Sequence, residues 1–139
     1  ANGCPLIDWD SLEDAAREVR GAAYAPYSKY RVGAALLGED GVVYRGANIE
    51  NASYGLCLCA ERAAVAQAVN AGVMRFTALV VATQGPVPAA PCGLCRQVLV
   101  EFPPSFPVRC ITADGDARIE TDVSSLQPHA FGRQYLSDD

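Results

Sequence analysis

Residues 59–102 read CAERAAVAQAVNAGVMRFTALVVATQGPVPAAPCGLCRQVLVEF, and this stretch decides the fold. Its first part, 59–71, is dense in alanine: Ala63, Ala64, Ala66 and Ala68 are strong helix formers, and Gly72 is placed to end the helix. Residues 77–83 follow as a short apolar, β-branched run that suits a buried strand. A loop rich in proline and alanine, 86–91, leads into a second helix over 92–102, stopped by Pro103 and Pro104. Residues 107–112 form the next strand, with one more possible beyond it. Strands separated by helices of this length imply crossover connections, so the expected fold class is α/β, a mixed sheet with helices on both faces in three layers.

Upstream, Asp10 and Ser11 offer a helix cap, and Leu12, Ala15, Ala16, Val19 and Ala23 repeat at helical spacing. Residues 32–37 and 42–45, joined through Gly38, Glu39, Asp40 and Gly41, form a hairpin signal because Asp-Gly favours tight turns. No repeat or linker divides the chain, and 139 residues suit a single domain over 1–139. Half of the residues are hydrophobic and 19% charged, enough to bury a core without disulfides. A net charge of −5 opposes nucleic acid or an anionic membrane as partner. With no apolar leader or membrane-length run, the chain is expected to be soluble and cytoplasmic, where thiols stay reduced.

Six cysteines stand beside one histidine, so cysteine must carry any transition-metal chemistry. Cys59-Ala60-Glu61 opens one helix and Pro91-Cys92-Gly93-Leu94-Cys95 the next. Helix N-termini favour thiolates through the dipole and free backbone N–H groups. If the strands before both helices run parallel, the two N-termini share one sheet edge and can converge on one ion. Cys59, Cys92 and Cys95 then hold a tetrahedral zinc and leave one position open to water. Glu61 stands beside that water and can take and return protons. A ligand-x-Glu paired with Pro-Cys-x-x-Cys is the signature of zinc nucleobase deaminases. Zinc with three thiolates carries a formal charge of −1, which opposes water activation. Guanidinium donors from Arg62 and Arg96 to the thiolates would offset it.

Other readings of the same residues stay open at this point. Cys92 and Cys95 alone resemble a redox pair, although that leaves Cys59 and Glu61 without a role. Cys57, Cys59, Cys92 and Cys95 could close a structural site of four thiolates. Asn48 reads equally as a turn residue, Glu50 as a solvated charge, and Tyr30 and Phe131 as packing aromatics. His129 reads as a surface or interface residue.

Several longer motifs then fall in order: Tyr24 to Leu37 as YAPYSKYRVGAALL, Gly46 to Gly55 as GANIENASYG, then CAER and PCGLCRQVL. Over nearly its whole length the chain resembles the small, homotetrameric cytidine deaminases of pyrimidine salvage. The resemblance implies a three-layer α/β/α fold around a mixed five-stranded sheet. It also implies one zinc per chain on Cys59, Cys92 and Cys95, with Glu61 as the proton shuttle of a hydrolytic deamination of cytidine and 2′-deoxycytidine. Asn48 and Glu50 match the ribose-binding pair, Tyr30 stands where a base-stacking phenylalanine is usual, and Ala60 belongs to the substrate site. Tyr54 and Phe131 match residues that reach a site across subunit interfaces. The chain departs from the family at Tyr30, at Cys57 in place of threonine or another small residue, and at Gln127 in place of leucine. Cys4, Cys57 and Cys110 are left as free thiols. A deaminase of an analogue such as blasticidin S, or a zinc-stabilised domain without activity, are the rival functions; Asn48 and Glu50 speak against the first.

Overall fold

Asp8 starts the first helix, two residues ahead of the expected cap at Asp10. Its side chain accepts a hydrogen bond from the Ser11 backbone N–H at 3.1 Å, so α1 runs Trp9–Val19. Ala23 falls outside α1, because the chain tightens into a 3-10 turn over Arg20–Ala22, around Gly21. The computed structural model describes residues 6–136, and within them α1 is followed by β1 (Gly33–Gly38), β2 (Val43–Ala47), α2 (Ala60–Asn70), β3 (Phe76–Thr83), α3 (Gly93–Val100), β4 (Pro107–Thr112), β5 (Arg118–Asp122) and the short α4 (Val123–Leu126). Gly72 ends α2 as expected, with φ of +89° that a side chain would strain. No helix among the described residues is long and apolar enough to cross a membrane.

The five strands form one mixed sheet in the order β2-β1-β3-β4-β5. Among the described strands, only β3 and β4 pair as parallel neighbours; β1 is antiparallel to both β2 and β3. Two strands that each oppose β1 must run in the same direction as one another. The expected parallel relation between the strands before α2 and α3 therefore holds in direction, although β1 stands between them rather than the two being paired. Both helices consequently begin at the same edge of the sheet.

Residues of alternating strand positions bury opposite faces. Ala34, Leu36, Leu79, Val81, Val108 and Cys110 pack beneath α2 and α3, whereas Ala35, Ala78, Val80, Ala82 and Ile111 pack against Leu12, Ala15 and Ala16 of α1. That makes three layers. On the α1 side, buried Glu13 accepts from Arg109 at 3.0 Å and from Arg118, tying the helix to β4 and β5. Burial alone would raise the Glu13 carboxyl, but the two guanidiniums outweigh it and hold it below the ordinary range.

One close approach fixes where α2 begins. A Cβ on Gly46 of β2 would lie 2.5 Å from the Ala60 carbonyl oxygen and 2.4 Å from the Ala64 nitrogen. The obstacles are helix backbone, so α2 itself would have to move. Gly46→Ala is expected to cost about 3 kcal/mol in urea unfolding and to lower zinc content, since Cys59 and Glu61 ride on the displaced helix. An unchanged midpoint with full zinc would show that the approach is slack.

Candidate active site

Cys59 and Cys92 each occupy the residue just before a helix, with extended backbone, and neither side chain caps its helix. The usual capping atom is a side-chain oxygen; here the sulfurs turn away from the helix ends and toward one another. Cys95 lies in the first turn of α3, three residues after Cys92, which brings both to one face. The Cys59 and Cys92 sulfurs are 3.9 Å apart, Cys92 and Cys95 3.6 Å, and all three lie within 4.8 Å of one another. A tetrahedral zinc bound at about 2.3 Å holds its sulfurs roughly 3.8 Å apart, so the cluster fits that ion. Three thiolates at this spacing repel unless a cation neutralises them. Hydrogen bonding within the cluster draws the Cys59 thiol down to about 5: Cys95 contributes most, burial opposes, and Arg62 assists. The same Cys59 contact, with burial and the Glu61 charge, drives Cys95 upward.

Cys57 does not join the cluster. Its sulfur accepts from the Asn51 backbone N–H at 3.4 Å and lies 3.7 Å from the Asn51 carbonyl, which removes the four-thiolate reading. Cys110 is buried in β4, and burial pushes its thiol up to about 12. Cys4 lies outside the described residues.

Glu61 is only 6% exposed, in the first turn of α2. Burial pushes its carboxyl up to about 7; the Cys59 thiolate adds to this, and a backbone hydrogen bond and Arg62 oppose it. It faces a cavity of about 290 Å³ that Cys59 and Cys92 also line. That volume suits a small molecule or a single base. Tyr30, Asn48, Glu50 and Ala60 line the same cavity, so residues from Tyr30 through to Cys92 meet at one sheet edge. Asn48 is engaged locally: its Oδ1 accepts from the Val32 N–H at 2.8 Å and its Nδ2 donates to the Tyr30 carbonyl at 2.8 Å. One donor hydrogen and one lone pair remain for a ligand.

Tyr54 and Phe131 do not line this cavity. Tyr54 borders an adjoining one, with Glu50 and Cys57 shared between the two. Phe131 is 59% exposed, stacks on Tyr135 with centroids 5.4 Å apart, and its carbonyl accepts from Gln97 at 2.7 Å. Gln127 completes that link by donating to Gln97 at 3.3 Å, which a leucine would not do.

The two arginines divide. Arg62 donates to the Cys59 sulfur at 3.6 Å and to the Cys57 carbonyl at 3.1 Å, and its buried Nε has no partner among the described residues. The expectation that Arg96 donates to sulfur is corrected, because its Nε is taken by the Pro91 carbonyl at 2.7 Å and its Nη1 by the Leu126 carbonyl at 3.0 Å. Arg96 thus fixes the backbone entering Cys92. Arg62→Ala is expected to lower kcat/KM by about 10- to 100-fold while zinc is retained; unchanged turnover would remove Arg62 from the zinc environment's tuning.

Thr83, Ala89 and Ala90 also line the cavity, yet nothing in their own sequence marks them. Thr83 ends β3 at the edge where α2 and α3 begin, so the sheet topology is the signal that finds it.

Residues 9–111 match the family model described as the cytidine and deoxycytidylate deaminase zinc-binding region. A cytidine deaminase of Sporosarcina psychrophila is 47% identical over 132 residues, covering 94% of this chain and 96% of its own. One from Mycobacterium tuberculosis is 46% identical over 128 residues, 92% of each chain. The crystal structure of cytidine deaminase from Burkholderia pseudomallei superposes with a TM-score of 0.85 at 44% identity, covering 90% of this chain and all of that one. The matched region contains all three clustered cysteines and Glu61, and with identity of this order over almost the full length of both partners, the chain belongs to the cytidine and deoxycytidylate deaminase family.

Proposed function

We propose that this chain catalyses the hydrolytic deamination of cytidine and 2′-deoxycytidine to uridine and 2′-deoxyuridine with release of ammonia, using one zinc held by Cys59, Cys92 and Cys95. The observation that carries this is the convergence of three sulfurs and a buried carboxylate on one small cavity. Zinc, when bound, acts as a Lewis acid that makes water nucleophilic near neutral pH. Glu61 takes the proton of the attacking water on its carboxylate, delivers it to N3 of the base, and then passes the second proton to the departing amine at C4. A carboxyl whose burial raises it toward 7 suits a group that must both accept and donate. Ala60 and Tyr30 bound the base, and Asn48 and Glu50 receive the sugar. The Glu50 carboxylate also repels a 5′-phosphate, which favours a free nucleoside over a nucleotide.

Residues 1–139 act as a single catalytic domain whose working unit is a homotetramer with shared sites. Supporting this, Cys92 is exposed in the single chain, as are the large apolar side chains of Tyr54 at 76%, Leu56 at 68%, Leu94 at 67% and Phe131 at 59%. The free thiols and nucleoside product suit pyrimidine salvage in the cytoplasm. Loss of cytidine absorbance, followed with purified protein across cytidine, deoxycytidine, CMP and blasticidin S with and without a chelator, tests the reaction. Faster turnover of CMP than of cytidine overturns the nucleoside assignment. Light scattering at a monomer mass would overturn the tetramer.

A further inference from the structure

The carboxylate assigned to the sugar is already held by a turn of the chain. Glu50 Oε1 accepts from the backbone N–H groups of Tyr27 at 3.0 Å and Ser28 at 3.1 Å, and its Oε2 accepts from the Ser28 hydroxyl. The same hydroxyl oxygen accepts from the Tyr30 N–H at 3.0 Å. Lys29, between them, takes a left-handed φ of 60° that lets the turn close. Cross-links on both sides hold the segment: Glu50 N donates to the Tyr24 carbonyl at 2.8 Å, and Asn48 Nδ2 to that of Tyr30. A solvated charge at a strand end would need none of these donors.

We propose that Ser28 is a positioning residue for substrate selection, its hydroxyl orienting the Glu50 carboxylate toward the sugar and bracing the backbone that carries Tyr30. A carboxylate offers about four lone-pair directions. Three are taken by the turn, so the direction left for a sugar hydroxyl is set before substrate arrives. A group oriented in advance gives up little side-chain entropy on binding. The Ser28 hydroxyl is the largest cause of a Glu50 carboxyl held below the ordinary range, with burial opposing and the two N–H donors and Lys29 assisting. The sugar-reading carboxylate and the turn bearing Tyr30 are therefore set by one hydroxyl.

This inference rests on the deamination reading above, and two readouts separate their failures. The first compares kcat/KM for cytidine and 2′,3′-dideoxycytidine, which keeps the 5′ hydroxyl but lacks the 2′ and 3′ hydroxyls that Glu50 would read. Ser28→Ala should lower the preference for cytidine about tenfold, mainly through KM, and Ser28→Thr, which keeps a hydroxyl, should restore it. Equal loss on both nucleosides, no loss, or a wild-type protein without the preference would overturn the proposal. In a Glu50→Gln background, Ser28→Ala should leave the preference unchanged; a full tenfold further loss there would also overturn it. The second readout is the carboxyl carbon-13 titration of Glu50, which should move to higher pH in Ser28→Ala, and an unmoved midpoint would refute the contact. Should wild type turn over neither nucleoside, the deamination reading fails and the titration still decides Ser28.

Discussion

Glu61→Gln is expected to lower kcat by about 10³- to 10⁴-fold, the upper part of what a positioned proton shuttle supplies, while the protein keeps one zinc per chain. Glutamine preserves shape and hydrogen-bonding reach but cannot exchange protons between water, ring nitrogen and amine. The carboxyl is 6% exposed, and the amide that replaces it is neutral and of the same shape, so no new charge enters the interior and the unfolding midpoint should not fall. Turnover above a tenth of wild type would refute Glu61 as shuttle. Loss of zinc with loss of turnover would instead assign it a role in holding the metal.

Chemistry at the metal was legible because the relevant residues announce themselves locally. Cys59-Ala60-Glu61 and Pro91-Cys92-Gly93-Leu94-Cys95 each open a helix, and helix starts can be read from alanine content and proline positions. What joins them is a property of the sheet. Their convergence depends on β2 and β3 running the same way, which the intervening antiparallel β1 secures without pairing them directly. The sugar side was less legible. Asn48 and Glu50 lie in irregular chain beyond β2, and their partners Tyr27, Ser28, Tyr30 and Val32 come from another irregular stretch, so no periodicity connects them. Arg96 illustrates a further limit. Adjacency to Cys95 suggested a contact with sulfur, but a helical side chain one residue on points about 100° away around the axis, and it finds the Pro91 and Leu126 carbonyls instead. The first helix was missed by two residues for a simpler reason: Asp8, Asp10 and Ser11 are all competent caps, and only the geometry selects Asp8.

Replacing Cys95 by serine should separate the metal's contribution from that of ordinary packing. Cys95 is fully buried at the start of α3, and its sulfur lies 3.6 Å from that of Cys92, which is exposed. Serine keeps nearly the same volume, so packing changes little, but its hydroxyl does not ionise near neutral pH and cannot replace a thiolate ligand. Zinc per chain should fall from one to below about a tenth, and deamination with it. Because metal bound only by the folded state adds to its stability, the unfolding free energy should drop by several kcal/mol. Two control substitutions give the result its meaning. Cys57→Ser should retain full zinc, because that sulfur is directed at the Asn51 backbone. Cys110→Ser replaces a fully buried thiol within β4; it should cost about 1–3 kcal/mol for the buried hydroxyl and leave zinc untouched. If Cys95→Ser lost no more stability than Cys110→Ser and kept its zinc, the three-sulfur centre would be refuted. If Cys57→Ser lost zinc as well, a fourth sulfur would have to move onto the ion, closing the position that water needs and removing the basis for hydrolysis.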